Sequence, residues 1–215
     1  CKTVVAGYPW FLDWGRDTFI AARGLLSAGW TEEVFGIVKA FARFEDRGSL
    51  PNVLNGENAS NRETSDAPLW FGKVCAELAE VVEGDIFTEK MGDGRQLCEI
   101  LISIGCGYRD GTPHGIRMDL ESGLIWSPSH FTWMDTNYPA GTPREGYPVE
   151  IQALWIELLG LLMRLDSGGG WNVLERRARE SFERYFCQTS SGWVADLFPA
   201  ANGVNPSVAP CDDSL

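Results

Sequence analysis

The sequence predicts a mainly α-helical protein of about six helices, and three observations carry that prediction. Apolar residues recur every three or four positions in separate stretches, which is the spacing of one helix face. The period-two alternation of half-buried strands is scarce. The connections are of two kinds: short turns, and long polar, aromatic-rich loops at 44–65 and 108–148. That pattern suits helical hairpins whose long loops gather on one functional face.

The elements follow in order. A first helix is expected after Asp17, with Phe19, Ile20, Ala22, Leu25 and Leu26 as its apolar side. A second opens with Thr31 as N-cap and Glu32 and Glu33 in the first turn, where carboxylates suit the helix dipole. Its stripe is Val34, Ile37, Val38 and Phe41. A third has Asp66 as N-cap, Pro68 in its first turn, and Trp70, Val74, Leu78, Val81 and Val82 on one face; whether Asp66, like Asp13 and Glu63, enters a pocket or merely caps a helix stays open. Leu97, Ile100, Leu101 and Ile104 mark a fourth. Short strands are expected within 113–133, where Ile116, Met118, Leu124 and Ile125 flank an Asp-Leu-Glu-Ser-Gly turn. Leu154, Leu158, Leu161, Leu162 and Leu165 mark a fifth helix, and Trp171, Leu174, Ala178, Phe182 and Tyr185 a sixth after a Gly-rich turn.

Composition narrows the function. A chain of 215 residues can bury a core without disulfides or metal. Its 44% hydrophobic and 22% charged content argues against disorder. The net charge of −12 repels phosphate backbones, so nucleic acid is not an expected partner. No apolar run approaches the roughly 18 residues that span a bilayer, so no membrane is expected either. The six cysteines form no C-x-x-C pair and only two histidines are present, so no metal site is expected. Scattered cysteines in a chain this long read as reduced thiols of a cytoplasmic protein. Nine Trp in an acidic chain fit either a Trp-rich core or a site that stacks flat, uncharged ligands, with sugars favoured over bases. The chain opens at Cys1 with no signal-peptide pattern and stops at Leu215 after a loop rich in Pro, Asn and Ala. Neither end reads as a natural terminus, so a fragment is expected, a single partial domain over 1–215.

Three polar, aromatic segments could carry chemistry. Tyr8 to Asp17 packs Trp10, Trp14, Asp13, Arg16 and Asp17 ahead of a helix. An Arg–Asp pair can grip several hydroxyls of one sugar while a Trp covers its apolar face. The plainer account makes Asp17 a helix cap and pairs Arg16 with Asp13. Phe131-Thr132-Trp133-Met134-Asp135 places a carboxyl beside aromatics, where desolvation would suit a general acid; the plainer account is an Asx turn. Thr142 to Glu150 leads into the Leu-rich helix. There Arg144 and Glu150 either reach a substrate or, for Glu150, serve the helix dipole. His130 is of interest for its nearness to Asp135 in sequence. No dinucleotide glycine pattern and no G-x-S-x-G elbow occurs.

Taken together, these segments resemble the amylo-α-1,6-glucosidase domain of glycogen-debranching enzymes. The matching residues are Ala6 to Phe11 with Asp13 to Thr18, Gly48 to Asn52, Asp66 to Phe71, Thr132 to Asp135, and Thr142 to Arg144 with Pro148 to Trp155. They run in the family's order over about residues 4–155. The resemblance implies part of an (α/α)6 toroid with long loops at one mouth. It implies inverting hydrolysis of single α-1,6-linked glucose stubs on a branched α-glucan such as glycogen or a limit dextrin. On that template Asp135 matches the general acid. Arg16 and Asp17 resemble the pair that holds the terminal glucose, Trp14 and Trp133 its stacking walls, and Arg144 and Glu150 lesser pocket residues. The family's general base lies beyond Leu215, and a half-ring with an exposed edge would be expected to associate or to dissolve poorly. No cofactor is implied, because the reaction needs two carboxylates and water. The alternatives are a glucoamylase- or trehalase-like glucosidase on the same toroid and a non-catalytic glycan-binding module.

Overall fold

The computed structural model describes residues 2–56, 58–136, 141–187 and 192–199. Its helices lie where the apolar stripes predict them: α1 (Gly15–Ser27), α2 (Thr31–Ala42), α3 (Ala67–Val81), α4 (Leu97–Asp110), α5 (Val149–Leu165) and α6 (Trp171–Phe182). The stripes of α2 and α4 are buried at every predicted position. In α3, Val74 and Leu78 are buried, but Val81 is exposed, because the chain turns extended at Val82.

Three boundaries correct the sequence reading. α1 starts two residues before Asp17, with Trp14 in extended backbone at the N-cap. The Asn52 carbonyl accepts from the Gly15 amide at 2.7 Å, which satisfies a donor at the new start. Asp17 is therefore a first-turn residue and not the cap. Thr31 is the first residue of α2, and Trp30 stands at the N-cap. At the far end, Glu183–Cys187 winds as a π turn. The wider turn shifts the phase of the helix face. Phe186, rather than Tyr185, is therefore buried, stacked on Phe182 with ring centroids 5.0 Å apart.

The hairpin expected within 113–133 is present as β4 (Arg117–Met118) paired antiparallel with β5 (Ile125–Trp126). Its turn is fixed by Asp119, whose carboxylate accepts from the amide and hydroxyl of Ser122 at 2.8 and 2.7 Å. Two further pairings were not anticipated. β1 (Asp13–Trp14), β2 (Val53–Asn55) and β3 (Asn58–Ser60) form a small antiparallel sheet, and β6 (Gly146–Pro148) pairs with β7 (Leu197–Pro199). Strands of two or three residues are too short for alternation to register.

α1, α3 and α5 lie side by side; α2 packs on α1 and α3, and α4 and α6 pack on α5. The core between them is aromatic at both ends. Phe19 meets Phe41 and Phe71 at 4.7 and 5.6 Å, and Tyr108 stacks on Trp155 at 6.0 Å. The Trp155 indole donates to the Gly123 carbonyl at 3.1 Å, so the hairpin turn is fastened to α5. A smaller cluster of Leu124, Tyr147, Phe186, Ala195 and Phe198 lies beside it. Gly48, at φ +86°, crosses α4 against Gly107, and a Cβ on Gly48 would stand 2.7 Å from the Gly107 Cα. Only glycine permits that backbone-to-backbone approach.

Cys75, Cys98, Cys106 and Cys187 are free thiols, and burial pushes the Cys75 thiol up. Cys1 and Cys211 lie outside the described residues. Among the described residues no helix is long and apolar enough to cross a membrane.

Candidate functional site

Three helices begin on the same side of the molecule. Arg16 in the first turn of α1 meets Asp66 at the start of α3, and further along Arg23 of α1 meets Glu77 of α3 at 2.9 Å. α1 and α3 are therefore parallel. Lys73 of α3 reaches Glu157 of α5 at 2.9 Å. The long connection 111–148 delivers Phe131 to Asp135 and then Arg144 to the starts of these helices.

Arg16 is the hub. Its Nε donates to Asp66 Oδ2, its Nη1 to Asp135 Oδ2 at 3.0 Å, and its Nη2 to the Thr132 carbonyl at 2.8 Å. Burial opposes the charge of Arg16, but Asp66 and then Asp135 outweigh it, and the guanidinium pKa lies above its ordinary value. Asp66 does stand at the N-cap of α3, as the sequence predicts, but its side chain makes no cap bond. It accepts from the Thr64 hydroxyl at 2.7 Å instead, and Thr64 Oγ1 takes the Ala67 amide at 3.3 Å.

A second arginine braces the same loop. Arg144 is 2% exposed and donates to the Thr132 hydroxyl at 3.3 Å. It forms a two-pronged pair with Glu150 in the first turn of α5, one prong at 2.8 Å, and it donates to Asp196 at 2.9 Å. Burial opposes its charge too, and Glu150 and Asp196 outweigh that, so its pKa is raised. Its guanidinium lies 5.8 Å from the centre of the Trp133 ring. Thr132 is thus held from both sides, by Arg16 at its carbonyl and by Arg144 at its hydroxyl.

The segments are fastened to each other below this level. The Ser65 amide donates to the Phe131 carbonyl at 2.7 Å, and the Ser65 and Ser127 hydroxyls meet at 2.8 Å. The buried Tyr108 hydroxyl donates to the Ser65 carbonyl at 2.8 Å; burial first, and then the charge of Asp66, push that phenol well up.

Of the residues singled out in the sequence, Arg16 and Asp135 are in direct contact. Trp133, Arg144 and Glu150 join them through Thr132 and ring contact. The Asp135 side chain is 30% exposed and Trp133 is 55% exposed, so both are open to a ligand. Trp14 is half-buried at the end of β1. Asp17 is exposed and has no polar partner among the described residues. Asp13 does not pair with Arg16; it accepts from the Thr3 hydroxyl at 2.6 Å. The backbone amide of His130 donates to the Pro143 carbonyl at 2.8 Å, and its Nδ1 has no partner among the described residues. Sequence reasoning gave Thr132 no role of its own, missed Asp196, and left open whether Asp66 enters the pocket or only caps its helix. The available signal for Asp66 was Thr64, a hydroxyl two residues earlier that could take over the capping.

The sequence matches the family described as amylo-alpha-1,6-glucosidase over residues 1–212. It is similar to a glycogen debranching enzyme of Saccharomyces cerevisiae (strain ATCC 204508 / S288c), with 26% identity over 226 residues. That alignment covers 78% of this chain and 15% of the yeast protein, so the chain spans a small part of its relative's length. A match across nearly all of its residues means that the chain belongs to the amylo-alpha-1,6-glucosidase family.

Proposed function

We propose that residues 1–215 form part of the catalytic domain of an inverting glucosidase, one that removes single α-1,6-linked glucose stubs from a branched α-glucan such as glycogen or a limit dextrin. Asp135 is the general acid in this reading. The observation that carries it is the asymmetry of that carboxyl. Oδ2 is taken by Arg16, while Oδ1 has no donor among the described residues on a side chain that is part-exposed beside Trp133. A proton on Oδ1 can be delivered to the glycosidic oxygen as the bond to the anomeric carbon breaks. Water then attacks from the opposite face, activated by a second carboxylate roughly 6.5–9.5 Å away, and an α-linked stub leaves as β-glucose.

The remaining roles follow from position. Trp133 offers an apolar wall for a sugar ring. Trp14 and Asp17 sit at the start of α1 within a turn of Arg16, where Asp17 is free to accept from hydroxyls. Arg144, which is buried, supports the loop that carries Asp135, and the part-exposed Glu150 holds Arg144 in place. The parallel row α1, α3, α5 with α2, α4 and α6 packed against it favours three hairpins of an (α/α)6 toroid, with the helix starts and long loops at its mouth. An acidic chain suits this substrate, because a neutral glucan is not repelled.

The test gives the protein at its full natural length a dextrin bearing single α-1,6 glucose stubs, with free glucose and its anomer followed by NMR. β-Glucose should appear first, and Asp135→Asn should lower the rate by about 100- to 10,000-fold, as loss of a general acid does. Release of α-glucose, or turnover retained in Asp135→Asn, would sink the reading.

A further inference from the structure

We propose that Asp66 is a positioning residue of this site: acting through Arg16, it decides which oxygen of Asp135 is held and which is left open. The proposal rests on Asp135 being the acid. Asp66 is 2% exposed, so it does not touch a ligand. Nor is it kept for helix capping, which would contribute about 1 kcal/mol. It makes no cap bond, and Thr64 Oγ1 takes the Ala67 amide in its place while donating to Asp66 Oδ1. That arrangement turns Oδ2 away from its own helix and onto Arg16 Nε.

The consequence lies in the shape of a guanidinium. Its five N–H donors form a rigid planar fork, so fixing Nε fixes the directions of both Nη groups. Here one points at Asp135 Oδ2, 3.0 Å away, and the other at the Thr132 carbonyl, 2.8 Å away, in the same loop. The base of the fork is equally fixed. Ser65, next to Asp66, bonds to Phe131, next to Thr132, and to Ser127. Tyr108 holds Ser65 from the core. Asp66 and the Asp135 loop therefore move as one body, with Arg16 set between them. Without the Asp66 carboxylate the fork can turn, and both Nη groups can embrace Asp135, covering the oxygen that must reach the substrate.

Two measurements test this. In the unmodified chain, the ¹H–¹⁵N signal of Arg16 Nε should be resolved from other arginines and exchange slowly with water. A mobile, fast-exchanging Arg16 would overturn the proposal without any variant. In Asp66→Asn that protection should vanish, and the Asp135 carboxyl carbon should change its chemical shift although Asp135 is untouched. If Asp66→Asn does not fold, Arg16→Lys, which keeps the charge but not the fork, should give the same change at Asp135. The kinetic arm uses the protein at its full natural length. Asp66→Asn should lower kcat by about 100-fold, the loss expected of a misplacement near 1 Å, with KM within about twofold. An unchanged Asp135 signal, or a changed one with unchanged kcat, would overturn the proposal. A changed Asp135 signal in a protein that releases no glucose from the stub dextrin would leave the positioning intact and remove the glucosidase reading instead.

Discussion

Two sets of ion pairs cross the row of α1, α3 and α5, and they are built from the same residue types. At the helix starts, Arg16 and Arg144 hold Asp66, Asp135 and Glu150, with the side chains of Arg16, Asp66 and Arg144 only 12%, 2% and 1% exposed. Further along, Arg23 meets Glu77 at 2.9 Å, and Lys73 meets Glu77 at 3.6 Å and Glu157 at 2.9 Å. There Arg23 is 41% and Glu157 is 57% exposed. The first set ties helices to loops that carry a part-exposed carboxyl around two buried arginines; the second ties helix to helix at the surface, where Lys73 and Glu77 are themselves 26% and 24% exposed. Exposed pairs lose most of their Coulomb energy to solvent and to side-chain entropy. Buried ones are costly to break, because a partner is left without its counter-charge. Burial and the fixed arginine fork, rather than charge count, separate a site from a surface.

That contrast is open to attack, most directly at Arg144. Arg144→Met keeps the apolar stem, removes the fork and strands Glu150 beside the Thr132 loop. Denaturant unfolding should show a loss of about 3 kcal/mol, the low end for a broken buried pair because Glu150 is partly hydrated. A loss below about 1 kcal/mol would make the two sets equivalent.

Tyr147, in β6 between Arg144 and Glu150, sharpens the comparison through pH. Burial, then the charge of Asp119, push its phenol up to about 12. A pKa raised in the fold gives stability that is complete below pH 10 and is lost as pH rises towards 12, since the unfolded chain ionises first. Tyr147→Phe should remove on the order of 2 kcal/mol of that alkaline slope. Matching slopes in the two proteins would show that Tyr147 is not protected. The smallest effect belongs to the exposed set. Glu77→Gln should cost at most about 1 kcal/mol, and 1 M salt should erase much of the difference.

The same contrast explains what could be read in advance. The stripes Val34–Ile37–Val38–Phe41 and Leu97–Ile100–Leu101–Ile104 announce their helices because burial follows the 3.6-residue period directly. The phase slip at Glu183–Cys187 leaves no such trace, and Tyr185 and Phe186 look alike as apolar residues. Arg16 and Asp135 stand out as a cation and a carboxyl beside aromatics. Their link does not, since Asp66 lies 50 positions from Arg16, and Asp135 lies 119. Asp17 and Asp13 drew attention as near neighbours of Arg16 in sequence. Adjacent residues on a helix do not face each other, so Arg16 and Asp17 diverge from the same turn. For the site, residue types were legible and partners were not.

Arg144 also has a backbone that suits another residue. Its φ is +49°, in the left-handed region where a side chain costs roughly 1–2 kcal/mol and glycine costs nothing. An engineering campaign that ranks substitutions by backbone comfort would therefore choose Arg144→Gly. Such a variant relaxes the chain locally while letting go of Thr132, Glu150 and Asp196 at once. The relief of roughly 1–2 kcal/mol is smaller than the roughly 3 kcal/mol lost with the buried pair, so Arg144→Gly should fail a thermostability screen as well as an activity assay, and backbone comfort alone is a poor guide at this position.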